Sequence, residues 1–160
     1  MVGPTWSPGP AARVHSVLFA CSENAVRSPM AAALAEQRFG RLLHVESVGV
    51  RPGERNDFVT SVMAEVGIDL SHHRPRTFED LEDTCFDLIV TLSPEAHHRA
   101  LEFTRTMAVE VLYWPTLDAT GIEGSRAALL DAFRTVRDTL ARRVSAALGL
   151  DARGSGDPLG

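Results

Sequence analysis

Cysteine is scarce: the 160 residues hold only Cys21 and Cys85. Two thiols are too few for a disulfide framework, and their separation is not that of zinc ligands. A reducing, cytoplasmic setting is therefore expected. Positive charge is also in deficit, with 16 Lys and Arg against 21 Asp and Glu, a formal charge of −5. That balance disfavours a nucleic-acid partner or an anionic membrane surface. No apolar run approaches the roughly 20 residues of a membrane span. The opening stretch MVGPTWSPGPAAR has no charged region leading into an apolar one, so no signal peptide is expected. Its Pro and Gly content, and that of DARGSGDPLG at the other end, predict flexible tails over 1–13 and 151–160. With 44% hydrophobic and 23% charged residues, the remaining 14–150 read as one soluble domain with a sizeable core.

Short apolar runs alternate with helical spacing along that domain. His15–Ala20 and Phe86–Leu92 read as buried strands, and Leu42–Val50 and Ala108–Trp114 as two further strands. Ser28–Phe39 is Ala- and Leu-rich, with Pro29 in its first turn and Gly40 at its end. Asp57–Val66 has apolar residues at helical spacing, and Gly67 stops it. One helical turn is expected at Phe78–Leu81. Ser93-Pro94 reads as a cap and first position of a third helix, and Ser125–Leu148 as a long amphipathic one. The alternation predicts an α/β fold: a four-stranded parallel sheet with helices on both faces. Ligands of such sheets sit beyond the carboxyl ends of the strands. Cys21 ends the first strand and Asp118 follows the fourth, so the two are expected close together.

The stretch VLFACSENAVRSPMAAAL joins the first strand to the first helix. A short loop there can turn successive N–H groups inward, making an anion nest at a helix N-terminus. A thiol at the floor of the nest feels the helix dipole, N–H donors and a guanidinium, all of which favour thiolate. Cys21 is thus the expected nucleophile toward a phosphate-like group. Arg27 offers a planar fork for two oxygens of a tetrahedral oxyanion. Ser28 can donate to the sulfur, and Asn24 tolerates the left-handed turn a tight loop requires. The backbone of Ser22, Glu23, Asn24, Ala25 and Val26 completes the expected binding loop.

That stretch resembles the signature of the low-molecular-weight protein tyrosine phosphatase family, which also contains arsenate reductases. The shared pattern is a strand, C-x5-R-S with Asn third after Cys, then Pro and an Ala-rich helix. SVGVRPGERNDFVTSVMAEVGIDLSHHRPRTFED and FDLIVTLSPEA extend the resemblance, which covers roughly 14–148. It implies a three-layer sandwich and hydrolysis through a phosphocysteine. No metal or organic cofactor is implied, because Arg27, N–H groups and the helix end handle the charge. The expected partner is a phosphorylated protein or a small phosphomonoester.

The leaving group needs a proton, and a carboxyl on a facing loop can supply it and then activate water. Asp118 stands where the family places an Asp-Pro pair. Ala119 replaces that Pro, so a less rigid loop is expected. The family's following aromatics are missing, so Tyr113 or Trp114 is expected to supply the substrate wall. Glu23 stands where the family usually has Gly; either its side chain points to solvent, or it selects against highly charged ligands. Val26 replaces a second loop cysteine found in many family phosphatases, so that redox switch is expected to be absent. Arsenate reduction through an intramolecular disulfide relay needs further thiols near the third strand. Cys85, read as a strand-edge core residue, is the only conceivable partner, which leaves reduction with an external low-molecular-weight thiol as the alternative. A weakly catalytic phosphate-binding module is a second alternative. His72-His73 and His97-His98 read as solvated or partly packed, HHRPR as an exposed turn, and Arg51 and Arg55 as possible rim residues.

Overall fold

The computed structural model describes residues 14–153, with side chains through Gly149. Four strands, β1 (Ser16–Cys21), β2 (His44–Gly49), β3 (Leu88–Thr91) and β4 (Glu110–Tyr113), form one sheet in the order β2-β1-β3-β4. Every pairing is parallel. The helices are α1 (Arg27–Phe39), α2 (Asp57–Ala64), α3 (Pro94–Phe103) and α4 (Arg126–Arg153), with 3-10 turns at Phe78–Asp80 and Ala119–Gly121. Each expected element is present, with ends moved by one to a few residues. The tail expected over 1–13 lies outside the described residues, as do 154–160. Residues 151–153, expected in the second tail, continue α4 instead.

Successive side chains of a strand point to opposite faces. Val17, Phe19 and Cys21 of β1 enter the core shared with α1, α2 and α4; Leu18 and Ala20 enter the one shared with α3. Both faces are covered, so β1 reads as an unbroken apolar run. Phe19 is fully buried, a contribution of about 2–3 kcal/mol. The same parity places Cys21 on the α1 side, at the carboxyl end of β1. Because β2 and β3 flank β1, chain direction diverges there, and the crevice opens at that end.

Helix stops and starts follow local chemistry. Asn56 caps α2 by accepting from the N–H groups of Phe58 and Val59, and Ser93 caps α3 by accepting from that of Ala96. Gly67 ends the α2 region with φ of 80°, a conformation glycine adopts without penalty. α1 differs: its N-cap, Val26, has no capping side chain, and its first turn holds no acidic residue. Its positive end is left uncovered beside Cys21.

Candidate active site

The loop after β1 is fastened from three sides. The turn after β2 zips onto it: Val50 N–H donates to Ser22 O at 2.9 Å, Arg51 N–H to the same oxygen at 3.0 Å, and Gly53 N–H to Glu23 O at 2.9 Å. Gly49 permits this approach, because a Cβ there would stand 2.6 Å from Asn24 N. Behind the loop, the fully buried Asn24 takes φ of 55°. Its Nδ2 donates to Ser28 Oγ and Ser47 Oγ, both at 2.9 Å, and its Oδ1 accepts from Arg76 N–H at 2.8 Å. His73 Nε2 lies 2.7 Å from Asn24 O. Burial, with the Arg76 and Arg55 charges, holds His73 below the ordinary histidine value despite that bond. On the third side, Ser22 Oγ donates to Ser93 Oγ at 3.0 Å.

Cys21 Sγ sits on the floor of this loop, 3.0 Å from Ser28 Oγ. It accepts from the backbone N–H of Asn24 at 3.3 Å and of Ser28 at 3.4 Å. A cavity of about 340 Å³ opens above it, lined by Cys21, Ser22, Glu23, Ala25, Val26 and Arg27 from the loop. Arg51, Gly53, Glu54 and Asn56 line it from the turn after β2, Asp118 and Thr120 from the segment after β4. Among the described residues, the N–H groups of Glu23, Ala25 and Val26 have no acceptor. Ala25 and Val26 are buried, so such donors call for a ligand or water.

Arg27 is buried, and its side chain reaches across to the segment after β4. NH1 donates to Thr116 O at 3.2 Å, and NH2 lies 3.8 Å from Asp118 Oδ2. Asp118 Oδ1 accepts from Thr120 N–H at 3.0 Å and from Thr120 Oγ1 at 2.6 Å. Partial burial pushes this carboxyl up. The two Thr120 bonds and the Arg27 charge outweigh it, so Asp118 lies below the ordinary aspartate value. Ala119, fully buried in the α4-side core, anchors the turn where a proline was missed.

Two expectations fail here. Tyr113 and Trp114 do not line the cavity. Tyr113 stacks on His97 at 4.8 Å between ring centroids, and Trp114 packs against the core beside Phe19. Cys85, read as a core residue, is exposed. Its carbonyl accepts from Ser16 Oγ, at the start of β1, whereas Cys21 ends that six-residue strand. At about 3.3 Å per residue the two thiols lie at opposite ends of the sheet, which rules out a direct disulfide.

Asn24 and Ser28 do not line the cavity either; they hold the loop and the sulfur from behind. Arg51 lines it, and Arg55 does not. The buttressing by His73 and Arg76 had no local signal, since HHRPR reads as an exposed turn until the fold brings it behind Asn24. One group of possible metal ligands occurs among the described residues: atoms of His44, Glu46 and Asp83 within 4.8 Å of one another. Glu46 is already engaged there by His44 and Arg76.

Sheet, loop and cavity define an α/β enzyme of the phosphoester-hydrolase kind. The chain belongs to the low molecular weight phosphotyrosine protein phosphatase family, whose model matches residues 16–148. An arsenate reductase of Halalkalibacterium halodurans is 30% identical over 129 residues, 80% of this chain and 91% of that protein. Among solved structures, an arsenate reductase in the phosphate binding state superposes with TM-score 0.70 at 26% identity, covering 85% of this chain and 98% of the other. A tyrosine phosphatase of Erwinia amylovora gives TM-score 0.70 at 20% identity, covering 86% and 93%, a likeness of fold alone. Among the described residues no helix is long and apolar enough to cross a membrane.

Proposed function

We propose that the protein hydrolyses phosphomonoesters, protein phosphotyrosine among them, through a phosphocysteine. One observation carries this reading: a sulfur holding three hydrogen-bond partners lies under a cavity whose lining combines Arg27 with amide donors that lack acceptors. The phosphoryl oxygens take those donors and the Arg27 fork. Cys21 sulfur attacks in line; the S–P bond forms as the P–O bond to the leaving group breaks. Asp118, protonated once the substrate dianion raises its proton affinity, passes its proton to the departing oxygen. It then accepts a proton from water, whose oxygen displaces the sulfur and frees phosphate. A reducing compartment such as the cytoplasm keeps Cys21 available for this cycle.

Arsenate reduction through an internal relay is disfavoured by the position of Cys85, which leaves only an external thiol as reductant. The deciding experiment pairs p-nitrophenyl phosphate hydrolysis with arsenate reduction in the presence of glutathione or a similar thiol. Hydrolysis by the wild type, lost in a folded Cys21→Ser variant, is the expected result. Arsenate turnover without phosphatase activity would reverse the assignment. For Asp118→Asn, phenyl phosphate, a poor leaving-group substrate, should lose far more rate than p-nitrophenyl phosphate. An equal loss for both removes Asp118 from the acid role.

A further inference from the structure

The cavity above Cys21 carries more negative charge at its rim than anion capture requires. Glu23, Glu54 and Asp118 all line it, against Arg27 and Arg51. Arg27 faces Asp118 at 3.8 Å. Arg51 is drawn to Glu95, outside the cavity, at 2.6 Å, and reaches Glu23 only at 3.7 Å. Glu54 makes no ion pair among the described residues. Arg55, the next cation in the chain, does not line the cavity; its charge acts on His73, behind the loop. Glu54 is thus without an ion pair among the described residues, and Glu23 shares Arg51 with Glu95, beside a seat for a dianion.

Glu23 is also held in place. Its carbonyl accepts from Gly53 N–H at 2.9 Å. Its Cβ and Oε1 lie 2.8 Å from where a Cβ on residue 53 would stand, so the side chain packs against the bare face of that glycine. The carboxylate stands at the mouth, half exposed, 3.7 Å from Arg51. It lines the same cavity as Cys21 and Arg27 from the exposed side, the side open to a substrate.

We infer that this cavity selects phosphopeptides with Lys or Arg beside the phosphorylated residue, and that Glu23 and Glu54 are the specificity-determining side chains. The inference rests on the phosphatase reading for its turnover, but the rim electrostatics act on binding alone. Each exposed charge pair contributes roughly a two- to threefold factor at low salt. Taking that factor as each carboxylate's contribution to the ratio between a basic and an acidic flank, Glu23 and Glu54 together give up to about a tenfold ratio.

The test uses the full chain and two phosphotyrosine peptides of equal length, one flanked by Arg and one by Glu. The wild type should favour the basic peptide by up to about tenfold in kcat/KM at low salt, with the ratio shrinking as salt is raised. Glu23→Gln and Glu54→Gln should each reduce that ratio two- to threefold; the ratio within one variant is independent of any general loss of activity. Anisotropy titrations of both peptides against Cys21→Ser read the rim without chemistry. If the wild type hydrolyses neither peptide nor p-nitrophenyl phosphate, the phosphatase reading falls, and the binding ratio still decides the inference. A ratio at or below one, a ratio unmoved by both substitutions, or no binding of either peptide overturns it.

Discussion

Replacing Ser28 by Ala removes one oxygen atom that has three neighbours. Ser28 Oγ lies 3.0 Å from Cys21 Sγ, 2.9 Å from Asn24 Nδ2 and 3.2 Å from Val48 O. Asn24 donates to it, so the single hydroxyl proton has two possible destinations. A neutral thiol can itself donate to Oγ and leave the proton on Val48 O. A thiolate can only accept, so the proton must turn to the sulfur. Ser28 is fully buried, and water cannot take over the role. A hydrogen bond to a charged group is worth about 1.5–3 kcal/mol, so losing it should cost roughly 10- to 100-fold in kcat/KM.

Two assays separate that effect from mere loosening of the loop. The first is kcat/KM on p-nitrophenyl phosphate. The second is the alkylation rate of Cys21 by iodoacetamide, followed by peptide mass because the exposed Cys85 also reacts. Both should fall together, since both use the thiolate. Asn24 Nδ2 keeps its bond to Ser47, so urea unfolding should register a loss of only about 1–2 kcal/mol. Wild-type alkylation in the variant would refute the reasoning, whatever happens to turnover: the hydroxyl would then serve Val48 and not the sulfur.

Thr120→Val removes the hydroxyl donor from the Asp118 carboxylate and keeps the amide, so the carboxyl should rise toward its ordinary value. The protonated acid then persists to higher pH, and the alkaline limb of kcat/KM should move upward; a downward or absent move counts against Asp118 as the acid. Glu65 is held down at about 2 by hydrogen bonds from Arg134 and then Arg137. A depressed carboxyl stabilises the fold above its unfolded value of about 4.5 and loses that contribution as pH falls toward 2, so the Tm gap between wild type and Glu65→Gln should close across that window. Gly49→Ala drives a methyl group into the backbone at Asn24 and Glu23, with a cost of about 1–3 kcal/mol by urea unfolding and loss of activity through the displaced loop.

β1 and β3 are legible because burial on both faces leaves no polar alternation to blur them, as in Val17–Ala20, whereas β2 and β4, with exposed His44, Glu110 and Tyr113, are legible only as short apolar runs between helices. Cys21 and Arg27 were legible from spacing, and Asp118 from strand order, because all three depend on local chain geometry at strand ends. Tyr113 and Trp114 show where such reasoning stops. Both stand at the right end of β4, yet which way an aromatic turns depends on what packs beside it. His97 of α3 claims Tyr113, and Phe19 of β1 claims Trp114. Neither neighbour is near in sequence. The pairing of Arg51 with Glu95 is hidden in the same way, since it joins the turn after β2 to the first turn of α3.

Glu23 in place of glycine is the sharpest departure from the family pattern, and the backbone explains why it is tolerated. A tight loop between strand and helix needs a residue in the left-handed region, and a bulky one there costs about 1 kcal/mol or more. That conformation falls on Asn24, one residue later, where a short amide side chain adopts it readily and is repaid by bonds to Ser28, Ser47 and Arg76 N–H. Glu23 itself has negative φ and needs no glycine. The steric demand passes instead to its neighbours: Gly49 gives room to the loop backbone, and Gly53 gives room to the Glu23 side chain. A methyl group at 53 should therefore push the carboxylate off the rim while leaving the sulfur's partners in place. Gly53→Ala should weaken the preference for basic peptides and spare iodoacetamide alkylation of Cys21; slowed alkylation would show that the rim and the nest are one mechanical unit.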